Sequence, residues 1–316
     1  MRAIVVSSAS RRVMPIHLGP LQALLDDDLV NEIMVIDGQH IWVETTEGIN
    51  HVGSMSQSDV ALCTENISRA SGRRIDLLSP IIDARLPHGA RACVVIPPIA
   101  VGGTTISIRK FPERSFPLTA FGNSRCVSAI RQVIANRLNV LVSGSTSSGK
   151  TSLLTAVLQS LPSHERIVCV EDTAELRSTH PHIVRLQTRP ANSEGDGAID
   201  LQQLVRTSLR LRPDRLVVGE VRGAEAIDML MALSSGHRGC WSTVHAHSAH
   251  HAIQRISSIV LRDAPQWTQQ SVNELVHSSI DVIIHVERTR HRRHVAEILD
   301  IRGEIPVPLF CSSTDD

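Results

Sequence analysis

Residues 139–158 read "NVLVSGSTSSGKTSLLTAVL". An apolar run ends in a loop of small residues, and leucines at helical spacing follow, so the stretch predicts strand, turn and helix in immediate succession. The turn, "GSTSSGKT" from Gly144 to Thr151, fits the pattern GxxxxGK followed by Ser or Thr. Between a strand and a helix, that pattern is a phosphate cradle. Successive backbone N–H groups would close around a β-phosphate at a helix N-terminus, Lys150 would reach the β- and γ-phosphates, and the Thr151 hydroxyl would bind Mg2+. A serine-rich turn that only caps a helix has no use for a lysine in register. Lysine is scarce here, Lys110 and Lys150 being the only two. The candidate nucleotide-binding residues are thus Gly144, Ser145, Thr146, Ser147, Ser148, Gly149, Lys150, Thr151 and Ser152.

Working outward, a helical pattern ends near Leu138 before the loop, and Pro162 stops the helix after it. The strand "RIVCVED", the helix "DLQQLVRTSLRLR" and the strand "DRLVVGE" follow in that order. Strands apolar on both faces and separated by helices predict an α/β fold with a mainly parallel sheet over residues 119–316. The N-terminal third differs. Short β-rich runs "NEIMVID" and "HIWVE", the helical "SQSDVALCTENISRASG", and strands in "ARACVVIPP" and "TTISIRKF" predict a small α+β domain over residues 1–110. Prolines flanking charged residues in "FPERSFPL" make 111–118 the expected linker.

Composition narrows the function classes. With 316 residues, 42% of them hydrophobic, the chain has enough apolar material for two cores. Lys plus Arg and Asp plus Glu balance at 32 each, so no overall field recruits nucleic acid or an anionic membrane. Aromatic content is 2% with no tyrosine, too little for base-stacking platforms. Six scattered cysteines without a CxxC pair read as reduced core residues of a cytoplasmic protein. The N-terminus lacks a signal-peptide pattern, and the longest uncharged stretch, Ala92 to Ile108, is broken by prolines and glycines. The expectation is a chain with no direct membrane insertion, whose membrane role, if it has one, runs through a partner.

Hydrolysis at a phosphate cradle needs a carboxylate to orient or deprotonate water. "DRLVVGE" offers Glu220 at the end of an apolar strand, where a parallel sheet sets it beside the loop. "RIVCVEDTAEL" offers Glu171, Asp172 and Glu175. A carboxylate at a strand end is also what a solvated or helix-capping residue looks like, and for Asp172 that alternative stays open. "SSGHRGCWSTVHAHSAHH" holds His237, His245, His247, His250 and His251. His247, His251 and the nearby Cys240 admit a metal site, but no spacing completes a four-ligand set. A histidine that hydrogen-bonds near the γ-phosphate is the better functional reading, and His250 and His251 read as surface residues. The run "HVERTRHRRH" near the C-terminus reads as a solvated strand-turn-strand tip.

The glycine loop, "RIVCVEDTAEL", "LVRTSLRLRPDRLVVGEVRGAEAIDML" and "GHRGCWSTVHAHS", in this order and at these spacings, resemble the type II/type IV secretion ATPase superfamily. The likeness runs from about Gly19 to about Ile301. "LQTRPANSEGDG" and "SPIIDARLPHGARACVVIPP" resemble the branch that powers tight-adherence (Tad/Flp) pilus assembly. The resemblance implies a homohexameric, Mg2+-dependent ATPase with a PAS-like N-terminal domain and a RecA-like motor domain. It implies a cytoplasmic protein at the inner face of the membrane, acting on an inner-membrane platform protein and through it on a pilin. It makes Glu220 the catalytic base or water-orienting residue, Glu171 and Glu175 acids serving magnesium and water, and His237 and His245 a catalytic pair. Thr151, Glu171 and Glu220 would serve Mg2+, partly through water. Arg91 and Arg109 align with arginines that reach the nucleotide, an ordinary strand-edge role staying open for both. Separately, Arg206, Arg210 and Arg212 read as three cations on neighbouring helical positions, which rarely lack acidic or phosphate partners and would build the ring interface.

Three positions depart from the family pattern. Ser145 replaces a second glycine and would be strained if its backbone needed a positive φ. His247 stands where asparagine is usual, and Trp241 is bulkier than the usual residue, which puts the histidine geometry at issue. Two other functions fit the same motifs: a nucleotide-gated scaffold that barely hydrolyses ATP, and a conjugative DNA-translocating motor, which the charge balance disfavours.

Overall fold

In the N-terminal part, buried and exposed residues alternate along short strands, and an antiparallel sheet results. The computed structural model describes residues 17–45, 47–86, 89–110, 116–191, 195–289 and 292–312. Two units divide the chain, residues 1–112 and 113–316. In the first, α1 (Gln22–Asp26) precedes β1 (Glu32–Ile36), β2 (His40–Thr45) and β3 (Gly48–Ser54). Then come α2 (Gln57–Ser71), β4 (Ile81–Arg85), β5 (Arg91–Val95) and β6 (Thr105–Arg109). The sheet order is β3-β2-β1-β6-β5-β4, with every pairing antiparallel. A capping box between Ser56 and Asp59 starts α2, and Gly72 in the left-handed region ends it. Its buried residues Val60, Cys63 and Ile67 share a core with Ile33, Val35, Ile106 and Ile108 of the central strands. The edge strand β3 carries no sequence signal because it is exposed along nearly its whole length, leaving no apolar alternation to read.

The second unit contains α3 (Ser124–Ala135), β7 (Val140–Gly144), α4 (Lys150–Ser160), β8 (Ile167–Glu171) and β9 (Ile183–Gln187). These are followed by α5 (Leu201–Leu209), β10 (Arg215–Val218), α6 (Glu225–Ser234) and β11 (Trp241–His245). The chain continues with α7 (Ala249–Asp263), α8 (Gln269–Ser279), β12 (Val282–Arg288), β13 (Arg293–Asp300) and β14 (Val307–Cys311). The sheet order is β14-β13-β12-β7-β11-β10-β8-β9. It is parallel from β12 to β9 and antiparallel at β13 and β14.

Period-two alternation along the buried strands makes two cores from one sheet. Val140, Val142, Ile167, Cys169 and Val217 face one side with Ile130 of α3 and Leu153 of α4. Leu141, Val168, Val170, Leu216 and Val218 face the other with residues of α5 to α8, such as Val205, Met229, Ile256 and Val276. Strands covered on both faces must be apolar throughout, which is why they were legible in the sequence.

Two expectations change. Residues 111–115 of the expected linker lie outside the described residues, and Leu118 is buried in the core of the second unit, so that core begins before residue 119. Of the three arginines expected on neighbouring helical positions, only Arg206 is helical. The helix α5 ends at Leu209, Arg210 caps it, and Arg212 takes φ 54°. Arg206 pairs with Asp228 of α6 at 2.7 Å.

At the amino-terminal edge of the parallel sheet, the Arg215 side chain is 1% exposed and paired with Glu165, while its Nη1 has no hydrogen-bond partner. Truncating the acid would strand a buried guanidinium. Glu165→Ala should cost roughly 3–5 kcal/mol in chemical denaturation, and an unchanged midpoint would refute this account of the pair.

Candidate active site

Because β7, β8, β10 and β11 run parallel, their carboxyl ends deliver four loops to one edge of the sheet. The loop after β7 leads straight into α4, whose N-cap is Gly149 at φ 107°. No side chain caps α4 and no acid occupies its first turn, so the N–H groups of that turn and the helix dipole are left for an anion. A Cβ on Gly144 would collide with the Val286 carbonyl and the Ser148 side chain, and only glycine fits there. Ser147 takes φ 60°, whereas Ser145 is not among the residues of positive φ. The strain expected at Ser145 therefore belongs two residues on. Ser145, Thr146 and Ser147 are exposed, while Ser148 and Gly149 are buried.

Lys150 is 6% exposed. Its Nζ donates to the carbonyls of Gly144 at 2.9 Å and Ser145 at 2.8 Å, and lies 3.3 Å from His245 Nδ1. Burial pulls the Lys150 pKa down to about 8, with Glu220 and Glu175 opposing and Arg222 assisting. His245, the last residue of β11, turns its other nitrogen to Glu220 Oε1 at 3.2 Å. An ammonium donating to Nδ1 and a carboxylate accepting from Nε2 select the neutral tautomer protonated on Nε2. Burial and the Lys150 charge lower the His245 pKa, which favours the same neutral form.

Glu220 stands two residues past β10. Both its oxygens accept from Arg222, at 2.5 Å from Nε and 2.6 Å from Nη2. Burial would raise its pKa, but the Arg222 hydrogen bonds and charge, with His245 and Lys150, outweigh that and hold it below the usual carboxylate value. Its backbone is pinned from three directions. Gly219 N donates to the Val170 carbonyl at 2.8 Å, the Thr243 hydroxyl to the Gly219 carbonyl at 2.7 Å, and Val221 N to the Thr243 carbonyl at 2.8 Å. Glu225, which sequence reasoning missed, accepts from Arg222 N at 2.6 Å and Gly223 N at 2.8 Å and fixes the loop beyond. The signal for it was an acid in the first turn of a helix.

The acids after β8 divide their work in a way the sequence did not indicate. Glu171 is 2% exposed, and its Oε1 accepts from Glu175 N and Leu176 N, both at 2.8 Å. Its Oε2 has no hydrogen bond and lies 3.9 Å from Arg185. Burial pushes its pKa up to about 7, against the pull of those N–H groups and Arg185. Through Oε1 this carboxylate shapes the turn, while Oε2 is the oxygen left for the magnesium or water contact expected of Glu171. The turn presents Glu175, whose Oε2 lies 3.4 Å from Thr151 Oγ1. Hydroxyl and carboxylate oxygens fit Mg2+, which takes few protein ligands alongside phosphate and water. Asp172 is exposed.

His237 is not brought to this cluster. It follows α6 and precedes β11, so the five residues Trp241 to His245 separate it from the loop edge, and its Nδ1 lies 3.1 Å from the Ala232 carbonyl. The expected His237–His245 pair is therefore split between opposite edges of the sheet. Trp241 is a fully buried core residue at that far edge and leaves the His245 geometry untouched. Cys240 is buried beside it, too far along the strand to join the exposed His247, which stacks edge-on against His251 at 6.4 Å. Among the described residues, no three His, Cys, Asp or Glu side chains are grouped to hold a metal. Arg91 opens β5 and pairs with Asp83, its Nε at 2.9 Å. Arg109 ends β6, in register with Arg91 and Glu32. Both belong to the first unit.

The model of the type II/IV secretion system protein family matches residues 16–304. A Mycobacterium tuberculosis protein named for conjugal transfer is 36% identical over 311 residues, covering 93% of this chain and 88% of its own length. PtlH, a type IV secretion system protein of Bordetella pertussis, is 30% identical over 328 residues, covering 92% and 96%. The ATPase DotB of Legionella pneumophila superposes with a TM-score of 0.64 at 19% identity, covering 90% of this chain and 80% of that one, a likeness of fold.

If Lys150, with a pKa lowered to about 8, is to hold phosphate, it can do so only while protonated. ADP affinity should hold near pH 7 and fall by up to about tenfold per pH unit above about 8, measured by calorimetric titration. Affinity that stays level through that range would separate Lys150 from the phosphates.

Proposed function

Because this chain belongs to the type II/IV secretion system protein family, we propose that it is a Mg2+-dependent ATPase driving a pilus or secretion machine. The observation that carries this reading is the hydrogen-bonded chain Lys150–His245–Glu220, which joins the phosphate loop to the acid at the end of β10. Lys150 holds the β- and γ-phosphates, and the N–H groups of the first turn of α4 take up their charge. Glu220 orients the attacking water and accepts its proton as the terminal phosphate bond breaks. His245, neutral and donating from Nε2, keeps Glu220 oriented and in contact with Lys150. Thr151 and Glu175 would hold Mg2+, which supplies charge neutralisation at the β- and γ-oxygens. Glu171 sets the turn that presents Glu175. Arg91 and Arg109 are proposed as nucleotide-reaching residues of the first unit, on the family resemblance alone.

For the machine itself, the stretches "LQTRPANSEGDG" and "SPIIDARLPHGARACVVIPP" favour Tad/Flp pilus assembly, by a homohexamer acting on an inner-membrane platform protein. A second reading, a conjugal transfer or type IV secretion motor, is favoured by the names of the relatives. The balance of 32 basic and 32 acidic residues argues against direct work on nucleic acid in either case. No helix among the described residues is long and apolar enough to cross a membrane, so contact with the machine is expected through a partner.

Steady-state phosphate release tests the enzyme reading. Lys150→Ala should lose nucleotide binding altogether. Glu220→Gln should bind ATP as tightly as the wild type and turn it over at least about a hundredfold more slowly. Equal turnover in Glu220→Gln and wild type would remove the base assignment, and a wild type that binds ATP without releasing phosphate, platform protein present, would leave a nucleotide-gated scaffold.

A further inference from the structure

Two arginines stand directly opposite each other at the end of the hairpin formed by β12 and β13. Arg288 and Arg293 are cross-strand partners, an arrangement that destabilises a sheet unless an anion lies between or beside the charges. Neither has an acidic partner among the described residues. Arg288 is exposed, whereas Arg293 is half-buried. Burial first, and then the Arg288 charge, pull the Arg293 pKa below its usual value, which fits a cation placed there with nothing to neutralise it.

The Arg293 side chain has a definite neighbour. A Cβ on Gly149 would stand 2.7 Å from Arg293 Cδ and 3.3 Å from its Cβ and Cγ, so the arginine stem lies on the glycine that caps α4 within the loop. β12 is parallel to β7, so Arg288 comes at the carboxyl edge that bears the loop, and the antiparallel turn returns Arg293 to the same edge.

Sheet order then says which part of a nucleotide this pair would meet. In the order β13-β12-β7-β11-β10-β8, the strands bearing His245, Glu220, Glu171 and Glu175 all lie on one side of β7, and the arginine pair lies on the other. A triphosphate seated on the loop with its terminal phosphate toward Glu220 must carry its nucleoside end toward β12 and β13. Resting on the nucleotide reading of residues 144–151, we infer that Arg293, supported by Arg288, is a binding residue for the α-phosphate side of the nucleotide. The hairpin is thereby a second wall of the site.

An α-phosphate contact makes a specific demand: ADP and ATP must lose affinity together, because both carry that phosphate. The test compares wild type, Arg293→Met and Arg293→Lys by calorimetric titration with ADP and with a slowly hydrolysed ATP analogue, Mg2+ present. Methionine keeps an apolar stem over Gly149 and removes the charge. Arg293→Met is expected to weaken both nucleotides by roughly tenfold or more at near-wild-type melting temperature, with Arg293→Lys recovering part of the loss. Unchanged affinity, or loss confined to the ATP analogue, would overturn the inference. If Arg293→Met does not fold, Arg288→Met at the exposed position decides: a loss of about threefold for both nucleotides is expected, and no loss overturns the proposal. A wild type that binds neither nucleotide would overturn the nucleotide reading itself and this inference with it.

Discussion

Burying the Lys150 ammonium is the constraint around which the second unit is organised. A charge that is 6% exposed must be surrounded by oxygen and nitrogen acceptors, and the carbonyls of Gly144 and Ser145 with His245 Nδ1 supply three. Those acceptors come from two strands, so the lysine stays in place only if β7 and β11 are neighbours in parallel register, as the pairing of Gly144 with His245 makes them. Remove the parallel sheet and the ammonium loses its surroundings. Its lowered proton affinity expresses the same tension, a cation held where water is scarce and ready for a stronger anionic partner.

From that lysine the rest of the site is assembled by close approach. A Cβ on Gly219 would lie 3.0 Å from Glu171 Cγ, so a glycine there lets the chain after β10 approach Glu171 without displacing its side chain. Glu171 then spends Oε1 on two backbone N–H groups and shapes the turn bearing Glu175. Glu225 does the same for the loop after Glu220. Two acids bonded to backbone N–H groups thus hold the loops that carry Glu175 and Glu220, the support needed where reacting groups must be positioned within a fraction of an ångström.

The first unit follows a different logic. Its sheet is antiparallel and one-sided in its core, with β1, β2, β4, β5 and β6 all carrying core residues and the edge strand β3 left exposed. Arg85, Arg91 and Arg109 are in register across β4, β5 and β6, with Glu32 next to Arg109 on β1. Such a row of like charges has its physical counterpart in the Arg288–Arg293 pair of the second unit.

The sequence by itself determined the glycine loop between strand and helix, the parallel α/β class of the second unit, the α+β class of the first, and Glu220 and His245 as candidates near the loop. These rest on local facts: a glycine pattern between an apolar run and a leucine helix, strands apolar on both faces, polar residues at strand ends. Only the tertiary structure decided which candidates meet. His237 and His245 are eight residues apart, yet a strand lies between them, because a parallel sheet sends its two ends to opposite edges. Glu171 and Glu175 look interchangeable as acids in "EDTAEL", and burial alone separates a turn-shaping carboxylate from one beside Thr151. Arg293 read as part of a solvated tip, since nothing in "HVERTRHRRH" records that the hairpin folds back onto Gly149. Local patterns fix what a residue type is able to do; neighbours contributed by distant strands fix whether it does so, and those neighbours exist only once the sheet has formed.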